Sequence, residues 1–323
     1  MRIRALIAAT ALVFTLPCLS ALADPAKIGI LGPPPPPVLA AMGDAIAGRL
    51  AQQGLVRDRD FTFEIRSAEG KVERLPSLAK ELTDAHVAVI VARSYPATRA
   101  AKDATSSIPI VTHYAGEPVE TGFAASLAHP GGNVTGLSDM SAELSAKRLE
   151  LLRLAVPSMK RVAMLWNADD VGMTGRYQAA SAGAAGLGVA VQALGVREPD
   201  DFGAAFETMT RDMPDGILMV TDVLTLLNRK RVFEFAAAHR LPAIYEFDNL
   251  ARDGGLMSYG PDDKEVMARV GDLVGRILKG AKPADLPFEQ PTLFRFAINQ
   301  KTADSIGLAL PRELLLRADE VIE

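Results

Sequence analysis

Lys27-Ile28-Gly29-Ile30-Leu31, followed by the amphipathic stretch Val38–Gln53 and then Phe61-Thr62-Phe63-Glu64-Ile65-Arg66, is the segment that decides the fold. A short aliphatic run, a stretch of helical length and a second β-type run make one strand–helix–strand unit. Such units build a parallel sheet, because a parallel connection needs a crossover long enough to hold a helix. Outward from this unit the rhythm repeats. Candidate strands are Ala88–Val91 and Pro109–Thr112, then Arg161–Leu165, Val189–Leu194, Gly216–Val220, Ala243–Tyr245 and Gly255–Ser258. Candidate helices between them are Leu75–Thr83, Ala97–Thr105, Ala142–Val156, Thr174–Leu187, Asp201–Arg211 and Asn228–His239. The clearest helix is Asp263–Lys279, where Val266, Val270, Leu273, Val274, Ile277 and Leu278 form one apolar stripe, and Asp262 with Glu265 resembles a capping box.

Two sets of such units follow one another, so the expected class is α/β with two lobes. The turn-rich His129-Pro130-Gly131-Gly132-Asn133 separates them. The last 40 or so residues leave the rhythm, with a strand-like Leu293–Asn299 and a helix starting near Lys301. They read as connections passing between lobes, since a third domain would lack the residues for its own core. Pro33–Pro37 reads as a stiff, extended segment without N–H donors just after the first strand.

Composition narrows the function. With 49% hydrophobic and 23% charged residues over 323 positions, the chain is an ordinary globular one, neither disordered nor fibrous. A balance of 35 basic against 39 acidic residues carries no basic footprint for a phosphate backbone, so no nucleic-acid partner is expected. Arg2 and Arg4, the apolar Ala5–Leu16 and Ala21-Leu22-Ala23 have the order of a cleavable secretory signal, cut after Ala23. The run is shorter than the roughly 20 residues that span a bilayer. The expectation is therefore a free periplasmic protein with no membrane insertion after cleavage. Cleavage removes Cys18, the single cysteine, so the mature chain has no thiol.

Enzyme motifs are missing. There is no G-x-S-x-G, no phosphate-binding G-x-x-x-x-G-K-[ST], and no G-x-G-x-x-G opening the first helix. His86, His113, His129 and His239 show no metal-ligand spacing. No catalytic residue, cofactor or metal is expected. What the chain offers instead is polar and aromatic residues at the carboxyl ends of strands, where an open α/β sheet takes its ligand. In the first half these are Ser94, Tyr95 and Thr98, with Pro96 suited to a helix start and the amides of Ala97 and Thr98 placed to receive a carboxylate, and then His113, Tyr114 and Glu117. In the second half they are Trp166, Asn167, Asp222, Tyr245 and Glu246. Aromatics beside acids and amides suit a small organic ligand with a ring or chain and a polar end. The alternatives are packing roles for Trp166 and Tyr245 and helix-cap roles for Ser94 and Asp222.

Several segments also carry a family resemblance. Arg74–Leu82, Ala100–Val111, His129–Gly136, Lys147–Leu152, Leu241–Tyr245, Gly254–Gly260 and the terminal Leu316–Glu323 resemble the ABC transporter substrate-binding family often labelled tryptophan/tyrosine-type. The resemblance covers nearly all of the mature chain. It implies a type I periplasmic binding fold with two doubly wound parallel-sheet lobes and three crossovers. Lobe 1 would be 24–137 plus 259–290, and lobe 2 would be 138–258 plus 291–323. Hinges are expected near Gly136–Ser138, Ser258–Gly260 and Gln290–Pro291. The implied activity is capture of an amino acid or aromatic acid by hinge closure, and delivery to a permease with its ATPase. A monomer is the expected state. The alternatives are a module reporting to a membrane sensor and a periplasmic hydrolase. The chain departs from the family in having Gly116-Glu117-Pro118-Val119 for the usual Gly-Asp-Pro-Val and prolines in the loop after the first strand.

Overall fold

The computed structural model describes residues 24–114, 116–138 and 140–323. The proposed signal segment, with Cys18 and Ala23, lies outside the described residues. Two sheets organise the chain. The first has the order β2-β1-β3-β4-β5, from β1 (Ala26–Gly32), β2 (Phe61–Ser67), β3 (Val89–Arg93), β4 (Ile110–His113) and β5 (Val134–Leu137), all parallel. In the second, β6 (Arg161–Asn167), β7 (Ala190–Val196), β8 (Ile217–Met219), β9 (Ala243–Tyr245) and β10 (Met257–Pro261) line up as β10-β9-β8-β6-β7. Here β11 (Phe294–Asn299) adds antiparallel to β10, and β12 (Glu320–Ile322) extends the edge. Set side by side, both lobes use one order, with the second strand outside the first. Each therefore has a switch point, between β1 and β3 and between β6 and β8, where successive crossovers diverge and leave a crevice at the strands' carboxyl ends.

Helices cover both faces. In the first lobe α1 (Pro36–Gln52) lies on one face of the sheet, while α2 (Leu75–Asp84) and α3 (Tyr95–Ala104) lie on the other. α1 does not pack alone. The late helix α10 (Asp263–Leu278) returns to it, and Val266, Val270, Leu273 and Val274 join Leu39, Met42, Ile46 and Leu50 in one core. The helices cross closely because Gly271 faces Arg49, where a side-chain Cβ would come within 2.8 Å of the arginine Cβ. The second sheet is covered by α4 (Ser141–Ala155) and α5 (Val171–Gly186) on one face. α6 (Asp201–Arg211), the short α7 (Val223–Leu227), α8 (Arg229–Ala238) and α9 (Asp248–Arg252) lie towards the other. The tail adds α11 (Gln300–Ser305) and α12 (Arg312–Arg317).

The structure corrects several expectations. Pro36 and Pro37 are not extended but form the first turn of α1, where the missing N–H has no intrahelical partner to lose. Val134–Leu137, absent from the expected strands, is a full strand beside β4. Asp262 caps α10 through the amides of Lys264 and Glu265, but the reciprocal half of a capping box is not made. The Glu265 carboxylate turns to Arg269 and to Thr292 and Leu293 of the last crossing instead. The three crossings lie against one another. Leu137 bridges Glu289, the Ser138 amide donates to the Glu289 carbonyl, and the Asp262 amide donates to the Leu293 carbonyl, each at 2.9 Å.

Candidate ligand-binding site

In the first lobe, β3 ends at Arg93 and the chain turns into α3 through Ser94, which sits at φ +106°. That unusual backbone aims the Ser94 carbonyl and side chain into the helix start. The Ser94 Oγ accepts from the Ala97 amide at 3.5 Å, and its carbonyl accepts from the Thr98 amide and hydroxyl. Both amides expected to receive a carboxylate are thus engaged within the cap. Thr98 is itself corrected out of the ligand set, being fully buried with its Oγ1 2.7 Å from that of Thr112, so that it pins α3 to β4. Tyr95 packs on Phe123 with ring centroids 5.5 Å apart.

His113 is also buried. Its side chain lies on the α10 face of the sheet, and Nε2 donates to Asp263 Oδ1 at 3.2 Å. Burial holds its pKa below the ordinary imidazole value, so the ring is neutral at pH 7, and Nδ1 is left without a hydrogen-bond partner. Tyr114, in the left-handed region at φ +66°, lays its ring between His113 at 4.2 Å and Phe247 of the second lobe at 6.0 Å. Glu117 accepts from the Ser138 hydroxyl at 3.5 Å, which ties the loop after β4 to the first crossing.

The second lobe presents a more charged wall. At its switch point β6 ends in Trp166 and Asn167. Asn167 Nδ2 donates to Asp222 Oδ2 at 2.6 Å, and the Asn167 carbonyl takes the Asp170 amide. Asp170 caps α5 through the amides of Gly172 and Met173, and Asp222 caps α7 in a capping box with Thr225. Two acidic caps thereby lie near each other at the carboxyl ends of β6 and β8. Burial raises the Asp170 pKa, with the nearby Asp222 charge adding to the rise and the Met173 amide and Arg176 opposing it. Trp166 stacks on Tyr177 at 3.9 Å and is almost wholly covered, yet its indole Nε1 has no partner. Thr221 Oγ1, next to Asp222, is likewise buried without one.

Tyr245 and Glu246 are corrections. The Tyr245 side chain points to the α8 face, edge-on to Phe233 at 5.1 Å and among Leu241 and Leu250, which is core packing; burial drives its pKa upward. The Glu246 carboxylate, 2% exposed, accepts from Arg148 at 3.0 Å and from Arg176 at 2.8 and 3.0 Å. It is a buried counter-ion. Phe247, the next residue, is the one that meets the first lobe, at Tyr114.

The structure therefore brings Asn167, Asp222 and, from outside the expected set, Asp170 together at the strand ends of the second lobe, with Thr221 beside Asp222, and sets Tyr114 of the first lobe against Phe247 of the second. The lobes also touch with Gly116 against Gly172 and Gly70 against the Leu227 side chain. Asp170 was legible as a cap, being an acid before a helical stretch, but the helix start was placed three residues late. Among the described residues there is no group of three or more His, Asp or Glu that would hold a metal, and no helix is long and apolar enough to cross a membrane.

Two doubly wound lobes with a cleft at their switch points define a type I periplasmic binding fold. The chain belongs to the ABC transporter substrate binding protein family, whose model matches residues 27–322; its members are binding proteins rather than enzymes. A tyrosine-binding protein of Clostridioides difficile is 25% identical over 260 residues, 80% of this chain and 74% of the relative. An ABC domain from Streptococcus pneumonia, solved in complex with L-Trp, is 25% identical, matches 93% of this chain and 100% of its own, and superposes with a TM-score of 0.86. A ligand-free, open substrate-binding protein with adhesive properties from Clostridium difficile is 23% identical over 92% of this chain and 99% of its own, with a TM-score of 0.70.

Proposed function

We propose that the protein is the periplasmic solute-binding component of an ABC importer, exported by cleavage after Ala23, and that it traps an aromatic α-amino acid between its lobes. One observation carries this reading. Two acidic side chains, Asp170 and Asp222, lie near each other where β6 and β8 give way to α5 and α7, and the rings of Tyr114 and Phe247 meet from opposite lobes. A ligand with an ammonium group and a ring satisfies both, because a carboxylate drawn out of water favours a charged hydrogen-bond donor and the rings favour a flat apolar body. The Tyr- and Trp-binding relatives support the same class.

Closure follows from the arrangement. The lobes would work as 24–137 with 262–290 and 138–261 with 291–323, the expected boundary after residue 258 moving three residues on. We place the middle hinge at Asp262, past Ser258–Gly260, because β10 stays in the second sheet through Pro261. Closure brings Tyr114 onto Phe247, and the closed monomer is what a permease and its ATPase would read.

The test is isothermal titration of residues 24–323 with L-tryptophan, L-tyrosine and their deaminated counterparts. The amino acids are expected to bind at least about tenfold more tightly than the acids lacking the ammonium, the worth of one charged hydrogen bond. Equal affinity, or binding of sugars alone, would overturn the reading.

A further inference from the structure

An α-amino acid carries three recognisable groups: a ring, an ammonium and a carboxylate. The ring is placed at Tyr114 and Phe247 and the ammonium at Asp170 and Asp222, so the carboxylate is left without a partner. Taking that charge out of water without a cation is costly. The amides of Ala97 and Thr98, which the sequence offers for this role, are engaged within the cap of α3.

The residue before that cap is Arg93. It ends β3 at the switch point of the first lobe, and β1 ends beside it at Gly32, where a Cβ would lie 3.1 Å from the Arg93 Cβ. Because Gly32 has no side chain, the space over the switch point is left to the arginine. On its other side Arg93 pairs in register with His113, and the Ser94 amide donates to the His113 carbonyl at 3.2 Å. Tyr114 comes next in the chain, so Arg93 stands one strand away from the residue whose ring meets Phe247. Arg93, Val38 near the start of α1, and Asp263 and Lys264 at the start of α10 line one cavity of about 530 Å³.

The charge of Arg93 is also untaken. Arg66, near the end of β2, pairs with Glu64 and Glu81, and Arg197, just after β7, pairs with Asp169. Among the described residues Arg93 makes no hydrogen bond or ion pair, and Asp263, the acid in its cavity, turns Oδ1 to His113 at 3.2 Å. A guanidinium holds five N–H donors in a planar fork that matches a carboxylate. We propose that Arg93 is a specificity-determining residue that receives the carboxylate of the amino acid, so that the ligand is gripped as a zwitterion with its ammonium on the second lobe and its carboxylate on the first. This rests on the amino-acid reading above.

The test removes one charge from the ligand and one from the protein. Dissociation constants for L-tryptophan and for tryptamine, which lacks only the carboxylate, are measured by titration calorimetry on residues 24–323 and on Arg93→Gln, with thermal unfolding as the check on folding. The unsubstituted chain should bind L-tryptophan at least about tenfold more tightly than tryptamine, and Arg93→Gln should erase that preference by weakening L-tryptophan alone. If Arg93→Gln does not fold, Arg93→Lys carries the test. It keeps the charge without the fork and should give an intermediate ratio. A purely structural arginine would weaken both ligands in parallel; an unchanged ratio in the variant, or no preference for L-tryptophan over tryptamine in the unsubstituted chain, overturns the proposal. Indole-3-propionate, which lacks the ammonium instead, separates the two readings. If the unsubstituted chain binds it as tightly as L-tryptophan, the amino-acid reading fails and the proposal falls with it. If L-tryptophan is preferred to indole-3-propionate while the tryptamine ratio ignores Arg93, the proposal alone fails.

Discussion

The two walls of the cleft are built from one topology and end in opposite chemistry. At the switch point of the first lobe, polar groups other than His113 Nδ1 and the Arg93 guanidinium are spent on the protein itself: Ser94 caps α3, Thr98 holds Thr112, Ser67 donates to the Pro34 carbonyl at 2.6 Å, and His113 Nε2 holds Asp263. At the switch point of the second lobe, Asp170 and Asp222 stand together, and Trp166 Nε1 and Thr221 Oγ1 are buried without partners. Buried polar groups left unsatisfied cost free energy, so their presence marks where a ligand or water completes the structure. Under the proposed function the second lobe would supply the polar anchor for the ammonium group and the first lobe the cover.

The most forceful way to break this comparison is to exchange the roles of the walls. Asp222→Ala is expected to weaken an aromatic amino acid about 100-fold by calorimetry, the loss of a charged hydrogen bond and its support. Ser94→Ala on the other wall should change affinity only about threefold, since it removes a long cap bond. Similar losses from the two would dissolve the distinction. Next in size is the crossing strand. A Cβ at Gly260 would lie 2.1 Å from the Glu246 carbonyl, so Gly260→Ala should lower unfolding free energy by about 2 kcal/mol in denaturant melts, a typical overpacking cost. An unchanged midpoint would show that the strand is not clamped there.

The lid is tested by Tyr114→Ala. Loss of one ring of the pair that closes the cleft should weaken binding about tenfold while leaving the thermal stability of the free protein within about 1 kcal/mol. The remaining test is the pH response of the first wall. Because burial holds His113 below its ordinary value, the unfolded chain takes up a proton that the folded chain refuses; stability is complete above pH 6.5 or so and drains as pH falls below it, by up to about 1.4 kcal/mol per unit. Melting curves between pH 7 and 5 should show this slope, and His113→Gln should flatten it.

Much of the fold was legible because it rests on periodicity. The aliphatic runs of β1, β3, β6 and β8 and the stripe of α10 are local patterns, and local patterns survive in the linear sequence. The strand ends were legible for the same reason, and Asn167, Asp222 and Tyr114 do lie at them. What the chain hides is direction. Tyr245 and Glu246 are neighbours at the end of one strand, yet the pleat sends Tyr245 into the core under α8 and Glu246 towards α4 and α5, and only the partners Arg148 and Arg176, 98 and 70 residues away, show why. Thr98 was misread likewise, since its partner Thr112 sits on the adjacent strand. The helical start at Pro36 was missed because a proline run has the same composition whether it is extended or opens a helix.

The most direct test of the account is a crystal structure of residues 24–323 grown with L-tyrosine or L-tryptophan. The account predicts the ligand's ammonium nitrogen within about 3 Å of an Asp170 or Asp222 carboxylate oxygen, with its ring beside Tyr114 and Phe247. A ligand turned end for end, with its carboxylate at that wall or its ammonium held by the first lobe, would contradict it.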